Sequence, residues 1–156
     1  MKKPPIPPLD FETLPGHYIR RLQQIAVAAF LQQTEAHGVT PVQYAALNQV
    51  GRTPGIDQRT LARSIGFDTS TIASVIDRLE ARGLMLRQAS PEDRRVRLLQ
   101  LSDEGAGLLA AIGPDVLKAQ QRMLDPLTPA ERREFMRMLR AVVTANNELS
   151  RAPSDL

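Results

Sequence analysis

Four small hydroxyl side chains, Thr69, Ser70, Thr71 and Ser74, crowd the start of one short amphipathic segment, with Arg78 a turn farther on. Gln58, Arg59 and Thr60 open the segment before it, and Asp93, Arg94 and Arg95 form a charged cluster about twenty residues downstream. These groups supply hydrogen-bond donors, acceptors and positive charge. They do not supply bond-making chemistry. The chain has 2 His and 0 Cys, and neither histidine lies in a metal-binding or nucleophile motif. No phosphate-cradling glycine loop or nucleophile elbow occurs. The residues therefore point to recognition of a polar, anionic surface, with no enzyme activity, no cofactor and no metal expected.

The elements that carry them are readable from caps and periodicity. Asp57 can cap a helix from Gln58 to Ile65, which Gly66 ends. Asp68, Thr69 or Ser70 can cap a second, running to about Arg82 and stopped by Gly83. Only Gly66-Phe67-Asp68 separates the two, which is helix-turn-helix spacing. Leu61, Ile65, Ile72, Val75, Ile76 and Leu79 supply the buried faces. Leu84 to Gln88 and Val96 to Leu101 then read as a strand pair, joined by the polar loop Ala89 to Arg95. A hairpin directly after the second helix is a wing. An α-helix fits the DNA major groove and reads base edges with its N-terminal residues, here Thr69, Ser70, Thr71 and Ser74. Arg78 can reach a base or a phosphate, and Gln58, Arg59 and Thr60 can anchor the backbone. Arginine at a wing tip can enter the minor groove. Asp93, two residues before Arg95, is expected to hold that guanidinium in a bidentate pair.

Helices flank this module. Pro15 to about Ala36 is helical, with Tyr18, Leu22, Ile25, Ala26, Ala29 and Gln33 on one stripe and Val27 and Leu31 opposite. A helix apolar on both sides is sandwiched between partners. His37 precedes Gly38 at its end, where the helix dipole favours a cation. Thr40-Pro41-Val42-Gln43 is a capping box that opens a helix to about Val50. Ser102 starts another, to about Leu124, which Gly113-Pro114 should bend or weaken. A second capping box, Thr128 to Glu131, opens a last helix to about Leu149. The expected architecture is mainly α with a small β-hairpin. A Pro-rich extended arm spans 1–14, helices for dimerisation 15–38 and 102–149, a winged helix-turn-helix 40–101, and a frayed tail 150–156.

Composition agrees. A chain of 156 residues with 42% hydrophobic residues can bury one core. The net charge is +3, and residues 51–97, with nine basic and six acidic side chains, hold all of that excess. Charge gathered on one module is the electrostatic footprint of a duplex-DNA binder. With aromatics at 4% and 0 Trp, a stacking platform for single strands is not expected. No apolar run reaches the ~18 residues of a membrane span, and no signal peptide is evident, so a cytoplasmic location is the default.

The stretch from Leu61 to Gly105 resembles the MarR family of bacterial regulators. The matching features are the recognition helix ending in Asp77-Arg78-Leu79-Glu80 and Gly83-Leu84, and the wing pattern Asp93, Arg95, Leu99, Leu101, Ser102 and Gly105. Ser102 stands where threonine is more usual. The resemblance implies a homodimer with interlocked first and last helices, bound to a palindromic operator, usually as a repressor. It implies Arg95 as the minor-groove residue with Asp93 as its partner. It further implies release by a small anionic aromatic compound. The segment Gly16 to Leu22 is similar to a subgroup that responds to aromatic carboxylic acids, in which an arginine of the first helix binds the carboxylate. His17, Arg20 and Arg21 are the candidates, and the two arginines are not separable at this point. The competing reading is a winged helix used for protein contact without specific DNA binding.

Overall fold

The computed structural model describes residues 7–155. Six principal helices and three short strands follow one another as α1 (Pro15–Thr34), α2 (Pro41–Arg52), β1 (Ile56–Asp57), α3 (Gln58–Ile65), α4 (Thr69–Ala81), β2 (Met85–Ala89), β3 (Arg97–Leu101), α5 (Asp103–Leu124) and α6 (Pro129–Ala145). Their starts follow local chemistry. Asp57, Asp68 and Ser102 each accept the amide three residues on. Thr40 and Thr128 form complete capping boxes, each with proline at the first helical position. Gly38 and Gly66 end their helices at φ of 61° and 71°, left-handed backbone that glycine enters without strain.

The core gathers under α4. Ile72, Ile76 and Leu79 are fully buried and pack in one cluster with Leu47 and Val50 of α2, Leu61 of α3, Met85, Leu99 and Ile112. The sheet is three-stranded, in the order β1-β3-β2 and antiparallel throughout. The hairpin was expected; in its register Arg87 lies opposite Leu99. The third strand was not: Ile56 and Asp57 pair with Leu99 and Leu98. A two-residue strand has no periodicity to read, and only its distant partner defines it. The elements together make a winged helix-turn-helix with α1, α5 and α6 outside it.

Several expectations need correction. The described part of the N-terminal arm is not wholly extended, because Asp10 caps a single 3-10 turn over Phe11–Thr13. Residues 1–6 of the proline run lie outside the described residues. The last helix stops at Ala145, and a 3-10 turn covers Asn147–Leu149. The described tail residues, 150–155, are held in place rather than frayed. Asn147 grips Ser154 through both ends of its amide, at 2.8 and 3.0 Å. Asp155 binds the Arg63 guanidinium at 2.7 Å, and its amide donates to the Arg63 carbonyl. Asp155 thus finds its partner on α3, which sequence proximity could not reveal.

Gly105 has a packing role. The first turn of α5 lies so close to the end of the α4–β2 connection that a Cβ at Gly105 would sit 1.9 Å from the Leu84 carbonyl oxygen. Ser102 closes the same junction by donating its hydroxyl to the Gly83 carbonyl at 2.5 Å. Gly107, one residue beyond Ala106 on α5, meets nothing within 4 Å. Gly105→Ala should therefore destabilise the protein by about 1–3 kcal/mol through overpacking. Gly107→Ala should be neutral or stabilising by up to ~1 kcal/mol through helix propensity. Urea melts of the two variants check the contrast; equal midpoints would refute the packing role.

Candidate functional site

The first candidate site is built at two helix starts. The Asp57 carboxylate accepts the Thr60 amide at 2.9 Å and the Thr60 hydroxyl at 2.6 Å. Partial burial pushes its pKa up, but the bonds from Thr60 together with the backbone amides of Arg59 and Asp57 outweigh this and the net shift is downward. Asp68 repeats the arrangement on α4, accepting hydroxyls from Ser70 and Thr71, each at 2.6 Å, and the Thr71 amide at 2.8 Å. The Ser70 and Thr71 hydroxyls hold this carboxylate far below the ordinary range. Two of the four predicted hydroxyls are thus committed as donors to the cap, with their lone pairs left facing outward. Thr69, Ser74 and Arg78 are exposed on α4.

The wing meets this surface. Gln58, Arg59, Thr60 and Thr69 line one open groove together with Arg95, Val96 and Arg97, a space of about 480 Å³. Ser70, Thr71, Ser74, Arg78 and Arg94 stand outside that groove on the exposed surface. Arg97 was missed by sequence reasoning, which placed the charged tip at Ala89 to Arg95. The run Arg94-Arg95-Val96-Arg97 carried the signal.

Asp93 corrects a second expectation. Its carboxylate accepts the backbone amide of Arg95 at 2.9 Å rather than pairing with the guanidinium. The Asp93 carbonyl also accepts the Val96 amide at 2.9 Å. The short i to i+2 reach of an aspartate favours this turn contact over a side-chain fork. Asp93 therefore shapes the loop that presents Arg95. At the base of the wing, Arg87 of β2 pairs with Asp77 and with Glu80, the latter at 3.5 Å, and ties wing to helix.

The second candidate site lies on α1. Arg21 borders an apolar cleft of about 570 Å³, with Tyr18, Leu22, Ile25, Leu124, Phe135 and Leu139 among its walls. Among the described residues the Arg21 guanidinium makes a single long contact, 3.4 Å, to Gln24. Arg20 is exposed and outside the cleft lining. His17 also lies outside it, with its ring 5.3 Å from that of Tyr18 and 6.1 Å from that of Phe11. The structure thus separates Arg21 from the other two candidates. His37 has a different partner from the one expected: its Nε2 lies 3.0 Å from Asp115 of α5. The carbonyls at that helix end are met instead by Arg82, to which sequence reasoning gave no role.

Comparison with known proteins bears on both sites. The MarR family model matches residues 39–96. The transcriptional regulator HosA of Escherichia coli O111:H- is 33% identical over 83% of this chain and 94% of its own length. The chain belongs to the MarR family. As in the family generally, it is a DNA-binding transcriptional regulator and not an enzyme. Two solved MarR-type structures resemble it closely. The PcaV regulator from Streptomyces coelicolor, in complex with its natural ligand, is 37% identical with a TM-score of 0.81, over 90% of this chain and 99% of that one. Bordetella bronchiseptica BpsR, whose DNA binding is regulated by 6-hydroxynicotinic acid, is 29% identical with a TM-score of 0.82, over 87% and 97% of the two chains. Among the described residues of this MarR protein no helix is long and apolar enough to cross a membrane.

The Asp68 cap carries a pH signature. Its folded pKa is depressed below the ordinary 3.8, so its contribution to stability is present above that value and is lost as pH falls through the folded pKa. Asp68→Asn should remove part of the acid sensitivity. The drop in urea midpoint between pH 7 and pH 3 should be smaller in the variant than in the parent; an equal drop would show that the cap does not feel its charge.

Proposed function

We propose that this chain acts as a homodimeric repressor, released from a palindromic operator by a small aromatic carboxylate. The observation that carries the DNA-reading part is the convergence of two helix N-termini and the wing arginines on one groove. Amide dipoles at a helix start and guanidinium groups both favour phosphate. In this reading Thr69, Ser70, Thr71 and Ser74 face base edges, with Arg78 on a base or phosphate. Gln58, Arg59 and Thr60 hold the backbone, and Arg94 and Arg95 serve the wing, Arg95 in the minor groove. Arg97 joins them at the groove wall. A cytoplasmic setting goes with this role.

The dimer reading rests on α6. None of its residues is buried, although it presents Met138, Val142 and Val143 at 46%, 56% and 47% exposure. Tyr18, Ile19 and Ile25 of α1 and Leu117 of α5 are exposed as well. An apolar surface of this extent on helices outside the DNA-reading module suits an isologous interface with a second copy. The helices 15–38 and 102–149 then serve dimerisation, and 40–101 serves DNA.

Arg21 at the apolar cleft suits an aromatic acid, because the walls take the ring and the guanidinium fork matches the carboxylate. A ligand there can act only by binding one arrangement of the dimer more tightly than the other. The favoured arrangement would hold the two α4 helices at a separation other than one DNA turn, ~34–36 Å. BpsR, whose DNA binding 6-hydroxynicotinic acid regulates, supports the ligand class.

Fluorescence anisotropy against the chain's own upstream DNA tests the reading. Arg94→Ala with Arg95→Ala should weaken binding by tenfold or more. It should also flatten the plot of log affinity against log salt by roughly 0.9 for each phosphate that is no longer neutralised. Unchanged affinity would favour the protein-contact role. Across a panel of aromatic carboxylates, at least one should release the DNA. Arg21→Ala should abolish that release while leaving DNA affinity intact, whereas Arg20→Ala should not; the opposite result would exchange their roles.

A further inference from the structure

Arg82 occupies a junction that neither candidate site uses. It is the C-cap of α4, and its side chain turns away from the DNA-facing start of that helix. Nη1 donates to the Gly38 carbonyl at 2.8 Å and Nη2 to the His37 carbonyl at 3.5 Å. Those carbonyls end the 3-10 turn that closes α1, where helix carbonyls lack intrahelical partners and carry the negative end of the dipole. A planar guanidinium can span two neighbouring carbonyls, which an ammonium cannot do with the same geometry. Gly38, at φ 61°, supplies the left-handed turn there. A side chain on it would be strained, although a Cβ would clear Arg82 at 3.9 Å.

The same turn is fixed from the other side. His37 reaches Asp115 of α5 at 3.0 Å, and Lys118 reaches the same carboxylate at 3.3 Å. Bonds from His37 and Lys118 keep Asp115 below the ordinary carboxylate range. One 3-10 turn therefore joins the α1–α5 pair to the far end of α4. Arg87 holds α4 to the wing through Asp77 and Glu80. Between them the two arginines fasten the DNA-reading helix to the two bodies it must move with.

We infer that Arg82 is a positioning residue for DNA binding: it sets the angle of α4 against the α1–α5 pair without touching DNA. This rests on the DNA-reading face proposed above. A helix whose far end is released swings at its near end, and the base-facing side chains fall out of alignment while phosphate-binding charge is unchanged.

The test compares the full-length parent with Arg82→Ala, Arg82→Gln and Arg82→Lys. Affinity for upstream DNA should fall about tenfold in R82A with the salt slope unchanged. R82K, which keeps one strong donor, should recover to within about threefold. A slope shallower by roughly 0.9 would mean that Arg82 contacts a phosphate and would overturn the inference, as would unchanged affinity. So would a loss explained entirely by the unfolded fraction, read by circular dichroism at the assay temperature. Should R82A fail to fold, R82Q and R82K carry the comparison. Amide hydrogen exchange of the free protein gives a second measure that does not depend on DNA. R82A should raise exchange over 34–40 and 76–84 and leave the wing loop, 90–96, unchanged. Exchange unaltered in the first two segments would refute the strap even if the parent bound no DNA, an outcome that would refute the operator reading separately.

Discussion

The burial of one face of α4 governs which side chains this protein can offer to a partner. Ile72, Ile76 and Leu79 have no solvent exposure, and Val75 has little. Burying each such side chain is worth about 1.5–3 kcal/mol, so rotating the helix by a single residue, about 100°, would expose several and bury polar groups in their place. With that rotation fixed, Ser70, Ser74 and Arg78 must face outward. The adjoining elements adapt to the same face: α2 and α3 pack against it, and β2 leaves it through Gly83 and Leu84. The close approach at Gly105 follows, because α5 must begin against the backbone that has just left α4.

A trade-off is built into the start of this helix. Ser70 and Thr71 donate hydrogen bonds to the Asp68 carboxylate, and so the hydroxyls proposed to face bases also brace the cap of the helix that presents them. In this state they offer acceptors outward, and a carboxylate stays beside a surface otherwise suited to phosphate. The arrangement at Asp57 and Thr60 is the same in kind. Changing the sequence preferred by such a face cannot be separated from changing the stability of the helix beneath it.

What could be read from the sequence was what is encoded locally. Caps at Thr40, Asp57, Ser102 and Thr128 and the stops at Gly38 and Gly66 depend on residues three or four apart, and each lies where expected, while the wing hairpin, a contiguous pair of strands, lies within one residue of its expected bounds. Among the candidate residues, Gln58, Arg59, Thr60, Thr69 and Arg95 line one groove. The rest depended on distant partners. β1 exists because β3 is beside it, forty residues away. Arg82 reaches carbonyls 44 and 45 residues back. That Arg21 borders the apolar cleft and Arg20 does not follows from the facing wall of α6, which no helical wheel of α1 contains. Asp93 was placed correctly as a wing residue, but its bond goes to a main-chain amide, a distinction that residue type alone does not make.

The docked tail bears on how the protein is handled. Asp155 ends against Arg63, and Ser154 lies over Gly66 in the turn between the two DNA-module helices, 3.5 Å from where a Cβ would be. A purification handle placed after Leu156 would follow within two residues of the Asp155–Arg63 pair. A polyhistidine run there would bring titratable cations next to Arg63 and compete for its acidic partner. Preparations tagged at opposite ends of this chain are therefore not interchangeable reagents for measuring affinity.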